Sequence, residues 1–533
     1  MSVFSAQVYD LGLYDPTDEK SIEAYAQKLE GMTFNEVLDL GIYSPNAREK
    51  ERAGKGYRDR AYKGGLGNLL EERYFGYDAN SDMEPDFAEA GVEAKTTCCD
   101  MKKDGTLTAG ERLSIDMVPY GDEATLDFDS SLFWAKAHRI LLVVYLRDKG
   151  LKDRYDQQLK YAILFTPTAD DLAIIRRDYE TIMGYVRTGR ANELSEGMTM
   201  YLGAATKGAN AEKSTVIQRY PYIAENGEVQ YLPARRRAFS FKQSYMRVIL
   251  SKYVIPRREI ARKPDLSFNK DAAFAKLLRR SDLGDVKQNT VLLKEPLGEG
   301  ETFEDRIESM VSRYLGMSDK ELGGLFGIGE GKAFWVSIGK AILGIKNNNA
   351  EEFVKAGVDL RVARVECNGA IRESLSLNAF EFEDLLQEDE WEDSALYHQL
   401  EETRFLFVVF RKNDEGNGYC LSGMKFWAMP HTDIERWARP CWNQTKRVLA
   451  EGVRLVEKRD KNDVPRYFNN LPKKGDSEAL HVRPHANKSA YKFEDGRVRG
   501  DIDKDASRLP DGRYMTKQSF WINNDYLAKA IAE

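Results

Sequence analysis

The strongest constraint on this chain is that it repeats itself at the scale of a whole domain. Gly31-Met-Thr-Phe-Asn-Glu36-Val37 returns as Gly316-Met-Ser-Asp-Lys-Glu321-Leu322. Glu71-Glu-Arg-Tyr-Phe-Gly76 returns as Gly339-Lys-Ala-Ile-Leu-Gly344, and Arg112-Leu-Ser-Ile115 as Glu373-Ser-Leu-Ser-Leu377. His138-Arg-Ile-Leu-Leu-Val-Val-Tyr145 returns as Thr403-Arg-Phe-Leu-Phe-Val-Val-Phe410, and Phe241-Lys-Gln-Ser-Tyr245 as Thr516-Lys-Gln-Ser-Phe520. Each match is weak alone. Five in the same order at near-constant offset imply two homologous domains in tandem, not a short-period solenoid. The length of 533 residues agrees, because single cores stop growing well below that size. The expected boundaries are a first domain over 1–255, a polar Lys/Arg-rich linker over 256–300 and a second domain over 301–533.

Within the first half the order of patterns is mixed. A glycine-opened amphipathic helix runs from Gly67 to Gly76, followed by a turn-rich acidic link and a short strand around Glu93. Asp104-Gly105 marks a hairpin, RLSIDMVPY a second strand, SSLFWAKAHR a helix and ILLVVYL (140–146) a buried strand. This order predicts an α/β fold with a mixed sheet flanked by helices.

The link and strand carry the candidate chemistry. Strand side chains alternate faces, so Glu93 and Lys95 point one way and Val92 and Ala94 the other. Asp86 follows Pro85 and stands seven positions before Glu93. Two carboxylates and an ammonium at one strand edge suit a hard divalent cation beside a phosphate. An acidic residue two positions before a lysine is also a common surface pattern, as Asp18-Glu-Lys20 and Asp285-Val-Lys287 show. The repeat offers an internal comparison. Read at the same spacing, the second half has Asp359 and Glu366 but Asn368 in place of Lys95, Gly339 in place of Glu71 and roughly Glu401 in place of Lys136. One active site and one degenerate twin, serving binding or regulation, are expected.

Charge and cysteine usage narrow the class. With 79 Lys and Arg against 86 Asp and Glu, any nucleic-acid surface must be a local basic face. Five cysteines without CxxC spacing argue against a disulfide framework or a zinc site. No apolar run reaches bilayer length and no secretion signal opens the chain, so a soluble, cytoplasmic protein without membrane contact is expected.

The stretch GLGNLLE…PDFAEAGVEAKTT resembles the MutH-like branch of the PD-(D/E)xK endonucleases. Within that branch it resembles the Sau-type type II restriction enzymes, which carry two tandem MutH-like domains and cut at GATC. The likeness extends to ELSEGMTMYLGAATKGANA, RAFSFKQSYM, HVRPHA and MTKQSFWINND. It implies a restriction-endonuclease-like fold and Mg²⁺-dependent hydrolysis of double-stranded DNA, with no small-molecule cofactor. It also implies metal ligands at Asp86 and Glu93, a catalytic lysine at Lys95, a helix glutamate at Glu71 and a second lysine at Lys136. Loops at Thr206-Lys207-Gly208 and Phe241-Lys242-Gln243 would read bases through Lys207 and Lys242, although both lysines are equally compatible with an ordinary surface role. One active site per chain implies transient dimerisation on DNA, with the second domain as an allosteric DNA-binding module. A methyl-directed nicking enzyme of mismatch repair and a non-catalytic DNA-binding regulator are the competing readings.

Overall fold

The computed structural model describes residues 12–53, 57, 65–79, 83–102, 105–148, 150–207, 214–261, 290–295, 297–298, 300–346, 350–413, 418–459 and 465–532. The chain divides into two compact units. The first comprises residues 1–191, 199–298 and 345–357, and the second 192–198, 299–344 and 358–533. The units are therefore discontinuous, unlike the contiguous 1–255 and 301–533 read from the sequence. Most of the expected linker, residues 262–289, lies outside the described residues, as do Asp104, Gly208 and most of the basic loop at 51–64.

In the first unit the main sheet is built from β1 (Glu93–Met101), β2 (Leu107–Ala109), β4 (Ile140–Leu146) and β5 (Gln158–Phe165), in the order β2-β1-β4-β5. β1 and β4 run parallel, with Glu93 opposite Ile140 and Lys95 opposite Leu142; the other pairs are antiparallel. A central strand covered on both faces must be apolar throughout, and Ile140 to Val144 are all buried. Strand alternation holds as expected in β1. Val92 and Ala94 enter a core with Leu69, Leu70, Tyr74, Phe75 and Phe87, while Glu93 and Lys95 face away from it.

A second antiparallel sheet has the order β3-β7-β6, from β3 (Leu113–Met117), β6 (Leu202–Thr206) and β7 (Arg237–Phe241). Helix α1 (Leu66–Leu70) leads into a π-helical turn over Glu71–Phe75 that ends at Gly76. Helix α2 (Leu132–Ala137) is capped by Ser131, and α3 (Ala169–Arg187) by Thr168. Buried Asp178 on α3 accepts the backbone N–H groups of Met200, Tyr201 and Leu202 at 2.8, 2.6 and 2.9 Å, which anchors the start of β6. The segment Glu351–Ala356 belongs to this unit because its polar groups are committed here. Lys355 Nζ donates to Asp171 at 2.7 Å, and Glu352 accepts the amides of Leu292 and Leu293.

The second unit repeats the plan. β8 (Val358–Val365), β10 (Arg404–Lys412) and β11 (Tyr419–Trp427) form a sheet of order β8-β10-β11, with β8 and β10 parallel. β9 (Leu375–Phe380), β12 (Leu480–Pro484) and β13 (Gln518–Ile522) form an antiparallel sheet of order β9-β13-β12. Helices α5 (Phe334–Ile342) and α6 (Ala395–Glu402) stand where α1 with its π turn and α2 stand in the first unit. Helix α4 (Gln243–Val248) follows β7 directly.

Candidate active site

The site forms where α1, the Asp86 turn and β1 meet. Gly91, at φ +65°, lets the chain turn sharply into β1, and a Cβ there would stand 3.3 Å from His138 Nε2. The turn is closed by paired backbone bonds between Phe87 and Val92. It brings Asp86 alongside the strand start: Ala94 N–H donates to Asp86 Oδ2 at 2.9 Å, and Asp86 N–H donates to a Glu93 carboxylate oxygen at 3.2 Å. Lys95 Nζ pairs with Glu93 Oε1 on the same strand face.

Glu71 completes the cluster through the π turn. Its carbonyl accepts the N–H groups of both Gly76 and Tyr77, and the widened turn separates two consecutive glutamates. Glu72 faces Lys50 and Tyr57, at 3.0 and 2.8 Å. Glu71 faces β1, where a Cβ on Gly67 would stand 3.8 Å from Thr96 and 3.9 Å from Glu71 Oε1. Such π turns recur at functional sites.

Electrostatics confirm that these groups crowd one another. Burial, followed by repulsion from Asp86, pushes the Glu71 carboxyl up to about 8. Burial and then Glu93 push Asp86 up to about 6, against the pull of Lys95, the Ala94 amide and Lys136. Burial works against the Lys95 ammonium, but Glu93, Asp86 and Glu71 together hold it above the usual lysine range. Buried Lys136, on α2, lies 4.0 Å from Asp116 of β3. Asp116 was not singled out in the sequence. Its signal there is the polar position inside the alternating RLSIDMVPY strand.

These carboxylates fit a hard divalent cation. Burial and mutual repulsion raise Glu71 and Asp86, a strain that a bound cation would relieve, and all the donors are oxygens. Among the described residues no three His, Cys, Asp or Glu side chains already form a metal-ready group. One Asp86 oxygen is engaged by the Ala94 amide, and the two Glu93 oxygens by Lys95 and the Asp86 amide. A two-carboxylate site completed by phosphate and water oxygens, the usual Mg²⁺ arrangement, suits this donor set.

The two loop lysines differ. Lys207 is half-buried at the end of β6, its N–H donating to the Arg236 carbonyl. Lys242 is 1% exposed, and its Nζ donates to the carbonyl of Thr199. The expected base contact at Lys242 is therefore corrected: its ammonium is spent inside the fold, holding the chain just before β6. The second unit has the same clamp without the charge. Asn523 Nδ2 donates to the Ser477 and Glu478 carbonyls just before β12.

The sheet registers also correct the comparison between the halves. Glu93 stands opposite Ile140, and Asp359 opposite Phe405, at corresponding positions of the two parallel pairs. Asp359 is thus the counterpart of Glu93, not of Asp86, and Arg361 is the counterpart of Lys95. The signal was in the sequence: PDFAEAGVEAK and EEFVKAGVDLR match without a gap, glycine on glycine, with Gly357 at φ +67°. Glu366 and Asn368 lie at the far end of β8, where Glu366 binds Tyr419 and Lys412. The same pairing places Phe239 with Phe520, so the Thr516-Lys-Gln-Ser match to Phe241-Lys-Gln-Ser was out of register. In the second unit Arg361 pairs with Asp359 at 2.7 Å, and buried Glu401 holds His431 at 3.1 Å where the first unit has Lys136; a Cβ on Gly339 would stand 3.1 Å from Val362, the counterpart of Thr96, so Gly339 answers to Gly67 and not to Glu71.

Comparison with known proteins converges on one family. Residues 75–178 match the family model of the DNA mismatch repair enzyme MutH. The chain is 34% identical over 523 residues to the type II restriction enzyme Sau3AI of Staphylococcus aureus, covering 91% of this chain and 97% of that protein. It is 26% identical over 240 residues to the mismatch repair protein MutH of Shewanella woodyi, covering 45% of this chain and 94% of that one. A single-unit relative thus spans less than half of the chain, and a relative of similar size spans nearly all of it. The chain belongs to the Sau3AI family of type II restriction enzymes, MutH-like site-specific deoxyribonucleases.

Proposed function

We propose that this endonuclease cuts double-stranded DNA at GATC in an Mg²⁺-dependent hydrolysis that leaves 5′-phosphates, using one active site per chain. The convergence of Glu71, Asp86, Glu93 and Lys95 on one face carries this reading. Asp86 and Glu93 would hold the cation, which supplies Lewis-acid polarisation of the scissile phosphate. Lys95 stands beside them to orient the attacking water and to offset the negative charge that grows on the phosphoryl oxygens. Glu71 would help to position that water. Lys136, set by Asp116, adds a second positive charge. Water oxygen attacks phosphorus, the bond to the 3′ oxygen breaks, and that oxygen leaves as a hydroxyl after taking up a proton.

The catalytic domain is assigned to 1–255, joined by 256–300 to a DNA-binding, allosteric domain over 301–533. The second unit supports that assignment. It lacks counterparts of Glu71 and Lys136, and Glu352, which the repeat aligns with Asp86, belongs instead to the first unit, where the amides of Leu292 and Leu293 engage its carboxylate. Double-strand cleavage then requires two chains meeting transiently on DNA.

The test is cleavage of plasmids with unmethylated, adenine-methylated or cytosine-methylated GATC, in Mg²⁺ or EDTA. Discrete double-strand fragments ending at GATC, absent in EDTA and absent for Asp86→Asn, are expected. Nicked circles alone would favour the repair-type reading, and cutting in EDTA would reject the metal role.

A further inference from the structure

Tyr77 is 1% exposed, and its hydroxyl has no hydrogen-bond partner among the described residues. Buried polar groups are normally satisfied, and an orphaned one points to an unseen water or ion. Asp86, Glu71, Tyr14 and Glu93 are the titratable groups whose charge acts on this hydroxyl. The Tyr77 N–H donates to the Glu71 carbonyl at 3.1 Å, which ties Tyr77 to the π turn. Its ring meets the Phe87 ring edge-on at 5.4 Å, and Phe87 follows Asp86 in the chain. Phe75 and Phe87 wall the ring on its apolar sides. Burial, then Asp86 and Glu71, hold the phenol well above its ordinary range, so it stays protonated and can only act as a donor towards these anions.

We propose that Tyr77 is a positioning residue of the active site: its hydroxyl donates to a water shared with the Asp86 and Glu71 carboxylates and so holds Asp86 in the orientation that receives the divalent cation. Groups that orient metal ligands in this way are commonly worth tenfold to a hundredfold in metal affinity or activity. The inference rests on the reading of Asp86 and Glu93 as the metal-holding pair.

The test is Tyr77→Phe in the full chain, which keeps the ring and deletes only the hydroxyl. Mn²⁺ binding is followed by electron paramagnetic resonance without DNA, and cleavage is measured as kcat and KM. The expected result is Mn²⁺ binding weaker by about tenfold to a hundredfold, a comparable fall in kcat at fixed Mg²⁺ that is rescued by added Mg²⁺, and an unchanged KM for DNA. A melting temperature no higher than wild type without metal is also expected, because the water loses a partner. Unchanged Mn²⁺ affinity overturns the proposal, and a raised melting temperature alongside it would show that the hydroxyl was merely unsatisfied. Asp86→Asn separates the two levels. If that variant still binds Mn²⁺ like wild type, the metal reading fails and Tyr77 with it; if it loses Mn²⁺ while Tyr77→Phe does not, only the role of Tyr77 fails.

Discussion

Glu93 and Asp359 occupy the same position in the two units, each on the first strand of a parallel pair and each salt-bridged to the cation two residues on, Lys95 and Arg361. The two strands differ in what surrounds that pair. Glu71 and Lys136 stand beside the first, whereas in the second unit α5 carries no acidic residue and Glu401 stands where Lys136 does.

Lys95→Ala is expected to lower plasmid cleavage by about 10²–10³-fold or more, as loss of a charge aimed at the transition state does. Binding to uncut duplex should persist. Arg361→Ala should leave the single-turnover rate of a bound duplex within about twofold, since the Arg361 strand lacks the other groups that chemistry needs. Quenched-flow cleavage alongside filter binding separates the two. Equal losses of rate in both variants would mean that the second unit also hydrolyses DNA.

Lys242 is a structural clamp. Lys242→Ala leaves the Thr199 carbonyl without this donor and Asp178 without a nearby positive charge. A loss of about 1–3 kcal/mol of stability is expected, because an unmet buried polar group costs that much. The salt dependence of DNA binding should not change, since a buried lysine neutralises no phosphate. Denaturant melts and salt titrations of DNA affinity measure both.

Asp178 makes stability pH-dependent. Burial raises its carboxyl from 3.8 to about 6, against the pull of the three backbone amides and Lys242. The folded state therefore keeps a proton that the unfolded chain has released. The resulting stability is fully present below the unfolded value of 3.8 and is lost as pH rises through about 6. Asp178→Asn should flatten this part of the pH profile of the melting temperature while lowering it throughout, because an amide offers only one acceptor to three N–H groups. A profile over this range identical to wild type would sink the assignment.

Lys355 and Asp171 form a buried pair, joined by the Tyr245 hydroxyl at 3.0 Å. Breaking such a pair from one side strands a charge and typically costs about 3–5 kcal/mol. Lys355→Met is expected to destabilise the first unit by that order, and Asp171→Asn combined with Lys355→Met should recover part of the loss. A fragment ending near residue 300 should melt lower than the same unit within the full chain. Calorimetry of the variants and the fragment provides the check.

The strand around Glu93, the strand at 140–146, a helix within SSLFWAKAHR and the opposed faces of Val92 and Glu93 were legible because they depend on local alternation and apolar runs. The duplication was legible for the same reason. The candidate cluster was half legible: Asp86, Glu93 and Lys95 lie within ten residues of one another, and a single turn at Gly91 assembles them. Asp116 and Tyr77 were not, because they reach the site from a strand of another sheet and from the end of a π turn.

By itself, the sequence determined the α/β class, the duplicated plan and the contiguous acidic–lysine motif, since each is written in short-range patterns. Tertiary structure decided the register between the halves, because acidic residues seven apart at 352, 359 and 366 allow a slip, and strand pairing selects the alignment that puts glycine on glycine. It also decided which lysines are free to act. Lys95 and Lys242 carry the same charge in the sequence, but one lies on a strand face among carboxylates and the other is sealed against a carbonyl. Burial of a charge depends on what the rest of the chain packs around it, and no local pattern records that.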